Sequence, residues 1–248
     1  MKNNAEEKQD MTRSDFRIKI FADGADAKGM KEMYALGVVS GFTTNPTLMK
    51  KAGVTDYAAF ASKIASEIPD LPLSFEVFAD DFPAMEQEAR KIATWGKNVY
   101  VKLPVTNSKG ESSTPLIKKL SSDGFRLNIT AIFTIEQVEG VLGAFTPGVN
   151  SIVSVFAGRI ADAGVDPMPI MRKAAELCRQ VKGAESLWAS TRELLNIFQA
   201  QECGVDIITV TNDILVKLKH TGKSLTQFSL ETVQMFRNDA VSLGYKIL

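Results

Sequence analysis

The chain has 248 residues, 45% of them hydrophobic and 23% charged, enough to bury a large core and close to the roughly 250 residues of one αβ barrel. Its 29 Lys and Arg balance 29 Asp and Glu, which leaves no broad field to attract nucleic acid or an anionic membrane, so any anion must be held by a few placed side chains. With two cysteines, no CxxC pair and a single histidine, neither a zinc site nor a Cys–His catalytic pair is expected, and the lone thiols suit a reducing compartment.

Residues 1–16, MKNNAEEKQDMTRSDF, mix both charges without an apolar stretch. They are not expected to form a signal peptide, and residues 1–15 read as a loosely ordered tail ahead of one domain over 16–248. Short β-rich runs then recur at 17–23 (RIKIFAD), 38–44 (VVSGFTT), 73–79 (LSFEVFA) and 98–105 (NVYVKLPV). Four more follow at 126–130 (RLNIT), 150–156 (NSIVSVF), 186–190 (SLWAS) and 206–211 (DIITVT). Between them, three- and four-residue apolar spacing predicts helices over 56–67, 82–94, 113–122, 134–142, 167–181 and 191–202, with Asp80–Asp81 and Thr134 as caps.

Strand and helix alternating in this way predict an α/β fold with a parallel sheet, and eight strands close a single (β/α)8 barrel. An open doubly wound sheet also alternates, but usually with five or six strands, and neither the GxGxxG fingerprint nor the Walker phosphate loop is present. No run approaches 18 apolar residues, so no membrane span is expected, and no cofactor motif stands out. The last segment, 225–242, predicts a helix beyond the barrel's needs, which either packs on a neighbouring subunit or covers the barrel's bottom.

Inward positions of a barrel strand are normally branched and apolar. Here many are polar near the strands' C-terminal ends: Ser74 and Glu76, Tyr100 and Lys102, Asn128 and Thr130, Ser154 beside Phe156, with Asp23, Asn45 and Ser190 at strand ends. Singly, an Asp or Asn there is usually a turn or helix cap. A buried Glu or Lys is harder to explain that way, because an unpaired interior charge is costly. Barrel active sites form at this end. Lys102 draws attention first, since it interrupts the buried run Val99, Val101, Leu103, Val105. An amine in apolar surroundings is desolvated, which favours its neutral, nucleophilic form and suggests Schiff-base chemistry on a carbonyl. The alternative is a lysine that snorkels out at the strand end. Arg159 and Arg192 follow two of the strands, and with Ser190 they could bind a phosphate by charge-assisted hydrogen bonds; alone, each reads better as a surface ion-pair partner.

The blocks GFTTNPTL (41–48), SFEV (74–77), VKLPVT (101–106), LNIT (127–130), SVFAGRI (154–160) and WASTR (188–192) together resemble the transaldolase family, including its short branch that also contains fructose 6-phosphate aldolase. The resemblance runs from Ile18 to Val216. It implies that Lys102 forms the Schiff base, that Asp23 takes the C4 hydroxyl proton, and that Glu76 and Thr130 hold a water for dehydration and hydrolysis. It further implies that Asn45 and Asn128 position hydroxyls, that Ser154 contacts the donor chain, and that Arg159, Ser190 and Arg192 take the phosphate. Phe156 and Glu76 match transaldolase; the aldolase branch carries a tyrosine and a glutamine there. A catalytically idle sugar-phosphate-binding barrel is the remaining alternative, and it would lack the lysine, the aspartate or the glutamate, all present here. Gly24 stands where the family pattern has a hydroxyl residue, Thr191 where it often has Phe, and the linker 107–113 is longer than in the shortest members. By the same resemblance, the expected setting is cytoplasmic, in the pentose phosphate pathway, with sugar-phosphate substrates, no cofactor, and a homo-oligomer for which decamers are one known form.

Overall fold

Eight short runs form parallel strands that close on themselves in chain order: β1 (Lys19–Asp23), β2 (Gly41–Thr43), β3 (Leu73–Glu76), β4 (Val99–Pro104), β5 (Leu127–Ile132), β6 (Ser151–Val155), β7 (Ala184–Trp188) and β8 (Ile207–Thr211). The computed structural model describes residues 16–244, 246 and 247, so the tail expected over 1–15 lies outside the described residues. The helices are α1 (Ala27–Ala35), α2 (Pro46–Lys51), α3 (Tyr57–Glu67), α4 (Phe82–Ile92), α5 (Thr114–Ser122) and α6 (Ile135–Leu142), then α7 (Ala157–Asp162), α8 (Met168–Cys178), α9 (Leu195–Glu202), α10 (Asn212–Leu215) and α11 (Leu225–Leu243). This is a (β/α)8 barrel with a surplus C-terminal helix, as the alternation predicts.

Two apolar layers hold it together. Outward residues such as Ile20, Phe42, Phe75, Val101 and Ile129 meet helix residues such as Ile64, Met85, Ile117 and Leu120, all buried, in the shell between strands and helices. Each such side chain contributes about 1.5–3 kcal/mol by leaving water. Inside the barrel a smaller cluster of Phe21, Tyr100, Ile152, Leu187, Ala189 and Ile207 forms a plug. Phe21 fits because the adjacent inward position on β2 is glycine: a Cβ on Gly41 would stand 2.6 Å from the Phe21 ring. Above this plug the inward positions become polar, and the site begins there.

Several strands are shorter than their apolar runs, each for a local reason. The strand expected over 73–79 ends at Glu76, because the Phe78 and Ala79 amides donate to the Glu88 carboxylate of α4. Asn45 is the N-cap of α2, its Oδ1 accepting from Leu48 N at 3.0 Å. The seventh strand spans Ala184–Trp188 rather than 186–190, and Ser190 beyond it turns to φ 65°. The helix expected from 191 begins at Leu195, since Asn196 Oδ1 accepts from the Arg192 and Glu193 amides and makes a turn. The caps behave as expected: Asp81 accepts from Ala84 N, and Thr134 forms a capping box with Gln137.

Among the described residues α11 buries none of its own, and Leu225, Val233 and Phe236 are 83%, 62% and 63% exposed. Covering the barrel's lower end, one of its two expected placements, would have buried such residues. No described helix is long and apolar enough to cross a membrane. Both cysteines are free and buried.

Candidate active site

Strand alternation brings the polar inward residues to one place. A cavity of about 390 Å³ at the strands' C-terminal ends is lined by Asp23, Asn45, Glu76, Lys102, Thr130 and Ser154. Phe156, Arg159, Ser190 and Arg192 complete the predicted set on its wall. Asn128 alone of that set stands behind the wall. It is fully buried, its Nδ2 donating to Ser74 Oγ at 3.0 Å and its Oδ1 accepting from Ser154 Oγ at 2.6 Å.

The β3–β4 register places Glu76 beside Lys102. The ammonium does not snorkel out: its side chain is 8% exposed, with Nζ 3.1 Å from Glu76 Oε2. It also donates to the Thr44 carbonyl at 3.0 Å. Its surroundings are therefore polar at the tip, although the strand that carries it is apolar. Glu76 is steadied in turn by α3, since Tyr57 Oη donates to the Glu76 carbonyl at 2.9 Å. A lysine held between a carboxylate and a carbonyl can pass a proton to the carboxylate before attacking a carbonyl carbon.

Asp23 is half-buried at the mouth of β1, and its desolvation there pushes the carboxyl above the ordinary carboxylate range. Lys102 and a hydrogen bond from Thr43 pull it back down, while Glu76 adds to the rise. One cation among two carboxylates leaves the group a net negative charge when all are ionised, so Asp23 is the natural proton acceptor. Thr43 Oγ1 donates to Asp23 Oδ1 at 2.8 Å and makes a short contact with Thr209 Oγ1. Sequence reasoning singled out neither threonine. The inward parity of Phe21 and Asp23 on β1, carried across to Thr43 and Thr209, is the signal that would have found them.

On β5 the pairing with β6 shifts between Ile129 and Ile132, and Ala131 in that bulge has φ 58°. Both Thr130 and Ala131 consequently line the cavity. Thr130 Oγ1 is buried with no hydrogen-bond partner among the described residues, a hydroxyl suited to a water or a ligand. Ala131 and Ser190 are the non-glycine residues of left-handed φ among those described, and both are on the cavity wall.

The arginine side of the cavity depends on a glycine. Gly158 N donates to Ala189 O at 3.3 Å, and a Cβ on Gly158 would stand 1.6 Å from the Ser190 carbonyl oxygen. Only a residue without a side chain lets the start of α7 approach the loop after β7, which puts Arg159 on one wall with Ser190 and Arg192. The two arginines differ. Arg159 is exposed and makes no ion pair or hydrogen bond among the described residues. Arg192 grips Asp162 with two nitrogens, Nε to Oδ1 at 3.1 Å and a short Nη2–Oδ2 contact. That guanidinium, with Arg159 nearby, holds the Asp162 carboxyl below its usual range. Phe156 follows β6 rather than belonging to it; it packs on the inner plug and lies 5.9 Å from the Phe133 ring.

Comparison with known proteins places this geometry. The family model described as Transaldolase/Fructose-6-phosphate aldolase matches residues 20–247. The chain belongs to the transaldolase/fructose-6-phosphate aldolase family. It is 37% identical over 203 residues to a "probable transaldolase" of Dehalococcoides mccartyi, covering 81% of this chain and 90% of that one. It is 34% identical over 232 residues to one of a Thermoanaerobacter species, covering 93% of this chain and all of the other. A dihydrodipicolinate synthase structure from Rhodopseudomonas palustris superposes with a TM-score of 0.57 at 13% identity, over 94% of this chain and 82% of that one; such a low identity speaks for the fold alone.

Proposed function

We propose that the protein is a transaldolase, moving a dihydroxyacetone unit from a ketose phosphate such as fructose 6-phosphate or sedoheptulose 7-phosphate to an aldose phosphate such as erythrose 4-phosphate or glyceraldehyde 3-phosphate. The observation that carries this reading is a buried lysine amine 3.1 Å from a carboxylate, in one cavity with Asp23 and a guanidinium free of partners among the described residues. Membership of the family supports it.

Lys102 loses a proton to Glu76 and attacks C2 of the ketose. The carbinolamine sheds water, with Glu76 as proton carrier and Thr130 Oγ1 holding the water, to give an iminium. Asp23 then removes the C4 hydroxyl proton as the C3–C4 bond breaks; the bonding electrons move onto C3 and into the imine, leaving an enamine on Lys102 and an aldose free to depart. Reversal of these steps with a second aldose completes the transfer. Asn45 and Ser154 face the donor's hydroxyls, and Asn128 acts through Ser154. Arg159, Ser190 and Arg192 hold the phosphate. The chemistry fits the pentose phosphate pathway in the cytoplasm, and the exposed apolar residues of α11 support a homo-oligomer.

Incubation with fructose 6-phosphate and erythrose 4-phosphate tests the reading. Glyceraldehyde 3-phosphate formed together with a seven-carbon ketose phosphate is expected, with little free dihydroxyacetone. Equal dihydroxyacetone release with and without acceptor would instead indicate an aldolase.

A further inference from the structure

The β1–β2–β8 corner of the site contains three inward groups in line: Asp23, Thr43 and Thr209. Thr43 and Thr209 line the cavity but are only 3% and 5% exposed, so each hydroxyl is held mainly by protein partners. Each threonine has one proton to give. Thr43 gives its proton to Asp23 Oδ1 at 2.8 Å, so its contact with Thr209 requires Thr209 to be the donor and Thr43 the acceptor. The loop after β7 holds Thr209 in place through a hydrogen bond from Thr191 Oγ1 to the Thr209 carbonyl at 2.7 Å. Asp23 Oδ2 has no hydrogen-bond partner among the described residues.

We propose that Thr209 and Thr43 form a directed hydroxyl relay that sets the proton affinity of Asp23 and reserves its Oδ2 for the substrate's C4 hydroxyl. The inference rests on the transaldolase reading. Hydrogen bonding to an ionised carboxylate favours ionisation, and a neighbouring hydroxyl that donates onward polarises the donor. The relay thereby opposes the burial that drives Asp23 toward its protonated form. During cleavage Oδ2 takes the C4 hydroxyl proton, C4 becomes the aldehyde carbon, and the C3–C4 electron pair is stored in the enamine. Thr43 keeps donating to Oδ1 throughout.

The other charged groups near Asp23 are Lys102 on β4 and Glu76 on β3, with Asp26, Lys51 and Asp213 around a cleft of about 290 Å³ on its far side. None of these changes in a threonine variant. Thr43 and Thr209 are positioning residues, and a pH profile separates that role from packing. The kcat for transfer from fructose 6-phosphate to erythrose 4-phosphate should be followed against pH at saturating substrates, where Lys102 is already an imine. Thr43→Val removes the donor, so the carboxylate ionises only at higher pH and the acidic limb should move up by about one pH unit. Thr209→Val should move it the same way by less, and Thr43→Ser should restore the wild-type limb. Borohydride trapping on Lys102 should persist in all three, because imine formation does not use Asp23. An unmoved limb in both valine variants overturns the relay, as does a Thr43→Ser limb displaced as far as that of Thr43→Val. Failure of the wild type to trap any ketose phosphate overturns the Schiff-base reading, and the relay with it.

Discussion

At the scale of single residues, charge in the wrong place was the readable signal. Lys102 and Glu76 stood out because ionised groups on the inner face of a barrel need partners, and they are each other's partner at 3.1 Å. What stayed hidden was pairing between distant positions. Nothing in the sequence ties Arg192 to Asp162, 30 residues away, yet that grip separates the two cavity arginines into one held and one free. Arg159→Ala should therefore raise KM for phosphorylated aldoses and cut kcat/KM roughly ten- to a hundredfold, with unphosphorylated acceptors much less affected. Arg192→Ala should act in the same direction by a smaller factor, and equal losses on both acceptor types would mark the arginines as structural. Phe156 lines the same wall. A phenyl ring cannot relay a proton, whereas a phenol can, so Phe156→Tyr should release appreciably more free dihydroxyacetone per transfer event. Identical partitioning in both proteins would leave Phe156 as packing alone.

At the scale of elements, period-two alternation located the eight strands, but short pieces escaped. The helices at Pro46–Lys51, Ala157–Asp162 and Asn212–Leu215 are too brief to show a helical period, and the bulge at Ala131 leaves no trace in a run as ordinary as LNITAI. These pieces aim the site: α2 is capped by Asn45, the bulge brings Ala131 to the wall beside Thr130, and α7 carries Arg159. The junction of α7 with the loop after β7 is the tightest of them. Gly158→Ala puts a methyl carbon 1.6 Å from a backbone oxygen that is itself fixed by a left-handed serine, so one segment must move. The expected cost is roughly 3 kcal/mol in chemical denaturation, with a raised KM for phosphorylated substrates. Wild-type stability and KM in that variant would show that the two segments are free to part.

At the scale of the molecule, the barrel follows from strand count and alternation, while assembly does not. The segment over 225–242 was legible as a helix, but its partner could not be, since an apolar stripe looks alike on a core helix and on an interface. Here α11 leaves Phe236 and Val233 in solvent, more apolar surface than a monomer usually keeps exposed. Light scattering should give an oligomer for the full chain, and a chain ending at Gly222 should fall to a smaller species with the barrel intact. A monomeric full-length chain would refute assembly through this face. The central claim concerns Lys102, and one measurement reaches it directly: borohydride reduction in the presence of fructose 6-phosphate, followed by peptide mass analysis. The expected result is an adduct of dihydroxyacetone mass on the peptide containing Lys102, absent in Lys102→Ala while the fold persists; an adduct on another lysine, or none with any ketose phosphate, would contradict the Schiff-base mechanism.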